Sequence, residues 1–165
     1  MSVTEPSLRP EENPIPDSVE DIIGYILERY HQVHRRELPA LRDLARHVEE
    51  RHAGHAAVPA GLSDLLARMH AALESHMQKE EQVLFPLMLA GGNPMIVHPI
   101  DMMRHEHDEH DKELKALAAL TGDMTVPDDA CKSWRALYAG LAKLAAYLTD
   151  HIHIENDVLF PRFEN

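Results

Sequence analysis

The chain has 165 residues, enough for one domain with a buried core, and its aromatic content of only 5% favours packed helices over sheets. With 28 acidic and 16 basic side chains, its formal charge of −12 repels phosphate backbones and excludes the usual nucleic-acid-binding classes. A single cysteine excludes an internal disulfide framework or iron–sulfur site, and the lack of a membrane-length apolar run or signal-peptide pattern predicts a cytoplasmic protein without a membrane partner.

Helix start and stop signals divide the chain into a leader and four helices. The prolines among residues 1–17 predict a flexible amino-terminal leader, and residues 18–165 are predicted to form one helical domain. Four long helices with short links predict an all-α, up-down four-helix bundle. In chain order, the predicted helices begin near Ser18, Ala60, Pro99 and Pro127, and the first three end near Glu50, Leu89 and Gly122.

Two strings of residues occur once in each half of this domain. The string HxxHxxELxAL begins at His31 and again at His107, and the string HxxxExxVLFP begins at His76 and again at His151. The offsets are 76 and 75 residues, so the two halves stay in register. Histidine and glutamate are thus the matched elements of a duplicated unit, which makes a two-metal site the leading interpretation.

The histidines and glutamates of both strings fall on the apolar stripes of the helices, where residues recur at steps of three and four. Because His76 and Glu80 lie one turn apart, both point into the bundle. Buried carboxylates without partners are costly, and bound cations remove that cost. The predicted interior positions include Leu27, His31, His34 and Leu38 in the first helix, Leu73, His76, Glu80 and Val83 in the second, Met103, His107, His110 and Leu114 in the third, and Leu148, His151, Glu155 and Val158 in the fourth.

We therefore predict a site in which Glu80 and Glu155 bridge two metal ions. Two histidines complete the protein ligands of each ion, and the sequence leaves open which two share an ion. Mixed histidine and carboxylate ligation favours iron over zinc. The predicted metal ligands are His31, His76, Glu80, His107, His151 and Glu155.

Nine other histidines have different expected roles. His34 and His110 lie about one turn beyond His31 and His107, either as extra ligands or as groups that tune access and polarity. We expect the second role, so that replacing both with leucine leaves two irons bound but alters the binding of small ligands. The remaining histidines are expected to face solvent for the most part, except that His52 has room to fold over the bundle end: His47, His52, His55, His70, His98, His105 and His153.

The pattern H…HxxxE…H…HxxxE across residues 18–163 resembles the hemerythrin-like, HHE cation-binding family. Within it, strings at 29–31, 75–86, 106–109 and 150–161 resemble more closely the di-iron proteins that repair iron–sulfur clusters after nitric oxide or oxidative stress. The resemblance implies a non-haem di-iron centre at the six positions above, carboxylate-bridged with an oxo or hydroxo bridge. Members of the repair family commonly carry an amino-terminal module with adjacent cysteines. This sequence has none, so the contribution of that module is expected to be absent or supplied by another protein.

The resemblance implies a cytoplasmic stress-response protein that binds nitric oxide, supplies iron to damaged clusters, or does both, with iron–sulfur proteins as partners. The alternative is a reversible dioxygen carrier or sensor of the hemerythrin type. An oxidase or peroxidase activity is disfavoured, because the sequence shows no separate substrate-orienting residues. We therefore expect a protein that binds metal and a diatomic ligand rather than a conventional enzyme.

Overall fold

The computed structural model describes residues 14–164, and the first thirteen residues of the predicted leader lie outside this part of the chain. All regular secondary structure within it is helical, which confirms the predicted all-α four-helix bundle. Helix α1 consists of an α-helix at Val19–Ile26, a π-helical segment at Leu27–His31 and an α-helix at Gln32–Arg51. Helix α2 consists of Leu62–Lys79, a π-helical segment at Glu80–Leu84 and Phe85–Leu89.

Helices α3 and α4 form the second half of the bundle. Helix α3 is Val97–Leu120, preceded by a 3-10 turn at Pro94–Ile96. Helix α4 consists of Lys132–His153 and a π-helical segment at Ile154–Leu159, followed by a 3-10 turn at Phe160–Phe163. Within residues 14–164, no helix combines the length and apolar character needed to cross a lipid bilayer.

The ends of two helices show how capping fixes their limits. Ser18 caps α1 as predicted, because its hydroxyl accepts a hydrogen bond from the Asp21 amide at 3.1 Å. The predicted start of the fourth helix at Pro127 was wrong. The Ala130 amide donates to the Pro127 carbonyl at 3.0 Å, which closes a turn, and the helix begins only after Cys131, whose Sγ takes the capping position.

Three helices contain a π-helical turn beside the duplicated strings. Such a turn adds one residue to the helical repeat and rotates every residue that follows it. The predicted interior position of Val83 was therefore wrong, because Val83 is 58% exposed and Leu84 is 1% exposed. In α1 the same shift, counted back from His31, leaves Leu27 only half-buried and Ile26 in the core. In α4 it leaves Val158 half-buried and places Leu159 in the core.

This shift gives a direct test in the free energy of unfolding. Replacing Leu84 with alanine is expected to cost about 2–5 kcal/mol, because the substitution opens a cavity in the core. The matched change Val83→Ala removes an exposed side chain and is expected to stay within about 0.5 kcal/mol of the parent. Urea denaturation followed by circular dichroism measures both. Equal losses would show that the helix continues without the π-helical turn.

The interior contains two apolar clusters with a polar layer between them. One cluster includes Leu38, Leu73, Leu117 and Leu148, and the other includes Ile26, Leu84, Met103 and Ile154. On every helix the polar layer falls between members of the two clusters, so apolar side chains seal it from both ends of the bundle. The buried residues of this polar layer are His31, His34, His76, Glu80, His107, His110, His151 and Glu155. Thr121 is also buried, but it lies beyond Leu117 at the end of α3.

Candidate metal centre

All six predicted ligands meet in the polar layer, where they form two overlapping groups of four. Within each group, one ligand atom from every residue lies within 4.8 Å of the others. Both groups contain Glu80 and Glu155, so the two carboxylates are shared. The first group adds His31 and His151, and the second adds His76 and His107. Each group therefore takes one histidine from each half of the duplicated chain, a pairing that the sequence had left open.

The four imidazoles present the same atom to the middle of the layer. On the Glu80 side, His31 Nε2 and His76 Nε2 lie 3.3 and 3.2 Å from the same carboxylate oxygen. On the other side, Nε2 of His107 lies 2.8 Å from one oxygen of Glu155. The corresponding Nε2 of His151 lies 2.9 Å from the second oxygen. Both glutamates are 0% exposed, so the layer is closed to bulk water.

The donor atoms of this layer fit metal ions better than they fit one another. The contacts of Glu80 with His31 and His76 lack hydrogen-bond geometry. Within residues 14–164, both carboxylate oxygens of Glu80 and the Nε2 atom of His31 are therefore buried without a hydrogen-bond partner. A buried carboxylate without donors is costly, and a cation between the two groups satisfies these atoms at once. Imidazole nitrogen combined with carboxylate oxygen is a donor set suited to iron and related transition metals.

In two of these histidines, Nδ1, the outer nitrogen that faces away from the middle of the layer, lies within hydrogen-bonding distance of a carboxylate. Nδ1 of His31 lies 2.6 Å from Glu81, which also pairs with Arg35 at 2.7 Å. The Nδ1 atom of His76 lies 3.3 Å from Glu106. The hydrogen bond to His76 lowers the pKa of Glu106 to about 2, so this carboxylate is ionised at neutral pH. An acceptor at Nδ1 fixes the proton there and leaves the Nε2 lone pair for a metal.

Neutral groups hold the outer nitrogen of the other two histidines. Nδ1 of His107 donates to Asn156 Oδ1 at 2.7 Å, and Nδ1 of His151 lies 3.3 Å from His34 Nε2. Burial and the nearby imidazole of His151 lower the pKa of His34 well below its ordinary value. His34 is therefore neutral and able to accept from His151.

The electrostatics of the second shared carboxylate favour its charged form. Burial alone would raise the pKa of Glu155, but its close contacts with the imidazoles of His151 and His107 hold that pKa well below its usual range. A carboxylate that stays ionised at neutral pH is able to bridge two cations. Glu155 is thus prepared for that role before a metal binds.

Sequence reasoning missed the residues that hold the outer nitrogens. Glu81 and Asn156 occupy equivalent positions in the duplicated string, each directly after a shared glutamate. Each contacts the histidine of the preceding helix, His31 or His107. The signal was present as a polar residue at the same position of both strings. Its meaning depends on which helices are neighbours, and the sequence alone does not give that.

The phenylalanines of the two VLFP strings are buried and contact the site. Phe85 lies over the ring of His31 with centroids 5.9 Å apart and an interplanar angle of 21°. Phe160, its equivalent in the second string, lies over His107 at 5.8 Å and 1°. Stacking of this kind fixes the orientation of the imidazole rings and adds apolar cover.

His34 and His110 lie outside both groups of four. His34 holds His151, as described above, whereas Nε2 of His110 is buried without a hydrogen-bond partner among residues 14–164. The His110 ring lies edge-on to the ring of His76, with centroids 5.1 Å apart. The two histidines occupy equivalent positions in the repeat but have different contacts.

The other histidines lie away from the two groups of four. His52 folds over the end of the bundle as anticipated, 4.9 Å from the ring of Trp134 and 3.2 Å from Cys131 Sγ. His55 was expected to face solvent, but it is only half-buried because it packs against Trp134 and bonds Asp129 at 2.9 Å. Half-buried His70 lies against an arginine. The exposed members are His47, His98, His105 and His153.

Comparison with known proteins places this site in a family. The family model described as the Hemerythrin HHE cation binding domain matches residues 23–163, which include all six clustered residues. The chain is 44% identical over 142 residues to the iron-sulfur cluster repair protein YtfE of Musicola paradisiaca, covering 86% of this chain and 64% of that protein. The proteins of the same name from Dickeya chrysanthemi and Escherichia coli are 43% and 44% identical over 145 and 142 residues, covering 88% and 86% of this chain. The chain thus spans 64 to 66% of the length of these relatives.

Proposed function

This chain belongs to the hemerythrin HHE cation-binding family, and we propose that its polar layer holds two iron ions. Glu80 and Glu155 are the bridging ligands in this proposal, because both belong to each group of four. The buried oxygens of Glu80 support the assignment, because they have no hydrogen-bond partner among residues 14–164 and a pair of cations would satisfy them. His31 and His151 hold one ion, and His76 and His107 hold the other.

When bound, the two iron ions would supply open coordination positions for a small ligand such as nitric oxide. The protein's own residues set the conditions for this chemistry. Phe85 and Phe160 cover two of the ligand rings, and the two apolar clusters exclude bulk water. With only four histidines and two shared carboxylates, the protein saturates neither ion, which is compatible with iron leaving as cargo.

We propose that the function is iron–sulfur cluster repair in the cytoplasm after nitrosative or oxidative stress. Iron is the cargo, and proteins with damaged clusters are the partners. The observation that carries this proposal is the extent of similarity, at 43 to 44% identity over 86 to 88% of this chain, to proteins named for that activity. Because the chain spans about two thirds of their length, the test has to use this chain by itself.

The test is a repair assay with a [4Fe–4S] hydratase inactivated by nitric oxide. Iron-loaded protein is expected to restore hydratase activity and the cluster absorbance, whereas the same amount of free iron with a chelator is not. Loaded protein is also exposed to dioxygen alone while its spectrum is recorded. Repair no better than with free iron, together with a reversible dioxygen adduct, would overturn the proposal in favour of a dioxygen carrier.

The different contacts of His34 and His110 predict different effects of the same substitution. His34→Leu removes the acceptor of His151 Nδ1, so iron affinity is expected to fall by roughly 10- to 100-fold while two ions still bind at saturation. His110→Leu is the matched control and leaves the outer partners of all four ligand histidines in place. Titration with ferrous iron against a competing chelator measures both. Equal losses of affinity would contradict the role given to His34.

A further inference from the structure

One side of the site is covered by an oxidisable ring. Phe85 and Phe160 cover two of the ligand histidines, but Tyr30 covers His151, with centroids 5.2 Å apart and the rings only 6° from parallel. The position equivalent to Tyr30 in the second half is Glu106, so the duplication does not require an aromatic ring there. Phenylalanine does not give up an electron readily, whereas a phenol gives up an electron together with its hydroxyl proton.

Further tyrosines connect this ring with the surface. Tyr30 is 1% exposed and contacts the rings of Tyr25 and Tyr147 edge-on, at centroid distances of 6.0 and 6.1 Å. Tyr25 and Tyr147 are half-buried, and both line a surface pocket. The lining of this pocket is Tyr25, Glu28, Arg29, Val33 and Tyr147.

Tyr25, Tyr30 and Tyr147 are three of the four tyrosines in the chain. The fourth, Tyr138, packs on Trp134 with ring centroids 6.3 Å apart, within the apolar cluster on the other side of the polar layer. Among residues 14–164, the rings stacked on the site are otherwise those of phenylalanine and histidine. Tyr30 is thus the oxidisable ring that joins the site to the outside.

We propose that Tyr30, Tyr25 and Tyr147 form a one-electron path between the metal site and the surface pocket. The path rests on the proposed iron pair and extends its function. It allows the site to be reduced again after a hydroperoxide has oxidised it, so that the ligand histidines are not oxidised instead. The oxidant is a hydroperoxide that reaches the reduced iron. The final reductant is a cellular thiol that reaches the pocket.

The steps balance in electrons and protons. Tyr30 gives one electron to the site oxidised by the hydroperoxide and releases its phenolic proton through the Tyr25 oxygen to solvent, so that it becomes a neutral tyrosyl radical. Tyr25 or Tyr147 then transfers an electron and a proton to Tyr30 and carries the radical to the pocket. There a thiol donates a hydrogen atom and the phenol is restored. Two such passes return the two electrons that the hydroperoxide took from the site. In sum, one hydroperoxide and two thiols give an alcohol (water, for hydrogen peroxide), water and one disulfide, which forms when the two thiyl radicals combine.

The first test is electron paramagnetic resonance of rapidly frozen samples after hydrogen peroxide is added to protein loaded with ferrous iron. Wild-type protein is expected to show a narrow organic radical whose splitting collapses when its tyrosines are ring-deuterated. Tyr30→Phe keeps the stacked ring but is expected to lose this signal. Tyr138→Phe is the matched control and is expected to keep it. A radical of equal size in Tyr30→Phe would overturn the path.

The second test locates the oxidation by peptide mass spectrometry. In wild-type protein the oxidised products are expected at Tyr25 and Tyr147, and in Tyr30→Phe they are expected to move to His151. The same distribution in both proteins would overturn the path. Iron content is measured in every sample, so that failure of wild-type protein to bind iron is recorded against the proposed metal centre and not against the path.

If Tyr30→Phe does not hold iron, the double variant Tyr25→Phe/Tyr147→Phe decides the question. This variant keeps Tyr30 and its stack on His151 but lacks both outer phenols. A longer-lived radical than in wild-type protein, without oxidised products at the pocket, supports the path. An unchanged radical lifetime overturns it.

Discussion

Replacing Glu80 with glutamine is expected to abolish the paired iron site while most of the helix content remains. Glu80 belongs to both groups of four, and both of its oxygens are buried without hydrogen-bond partners within residues 14–164. Glutamine keeps the shape of the side chain but lacks the negative charge and one oxygen able to bridge. The loss of iron affinity is expected to exceed the roughly 10- to 100-fold that removing an outer hydrogen-bond partner costs.

Iron analysis and Mössbauer spectroscopy measure this effect, and circular dichroism measures the helix content. Glu155→Gln is expected to behave in the same way, because Glu155 is the other shared carboxylate. Glu109→Gln, at a side chain that is 50% exposed and paired with Lys112, is the matched control and is expected to bind iron normally. Two magnetically coupled irons in Glu80→Gln would contradict its assignment as a bridge.

Removal of iron is expected to lower the melting temperature of the protein. In the proposed centre, iron binds the folded chain through six residues from four helices, and the unfolded chain does not assemble them. With free iron about a thousandfold above the dissociation constant, binding adds about 4 kcal/mol to the free energy of unfolding. For a chain of this size, that difference corresponds to a shift in melting temperature of about 8–16 °C.

Thermal unfolding of loaded and chelator-treated protein measures this shift. Glu80→Gln is the control, because a chelator is expected to change its melting temperature little if it no longer holds the iron pair. Equal melting temperatures for loaded and stripped wild-type protein would show that the bundle does not depend on metal for its stability. In that case the buried histidines and glutamates of the polar layer must be stabilised by contacts other than those with metal ions.

The sequence was sufficient to predict the four-helix bundle and the residues that meet inside it. Helical spacing puts His76 and Glu80 on one face, and the second copy of the string repeats that placement at His151 and Glu155. Two independent copies of one pattern leave few alternatives for the interior of a four-helix protein. This is why all six predicted ligands were found within reach of one another.

Features that depend on packing between helices were not predictable in the same way. The pairing of His31 with His151 follows from which helices lie side by side, and the sequence contains no signal for that choice. The exposure of Val83 depends on a π-helical turn, and regular spacing of three and four residues gives no indication of such a turn. The outer partners Glu81 and Asn156 became recognisable only once their neighbours in space were known.

The central claim is that one duplicated set of ligands holds a coupled pair of iron ions, with two shared glutamates between them. The most direct measurement is iron content together with Mössbauer spectroscopy of protein that is purified anaerobically and supplied with ample iron. The account predicts two irons per chain in one magnetically coupled pair. One iron per chain, or two irons without coupling, would contradict it.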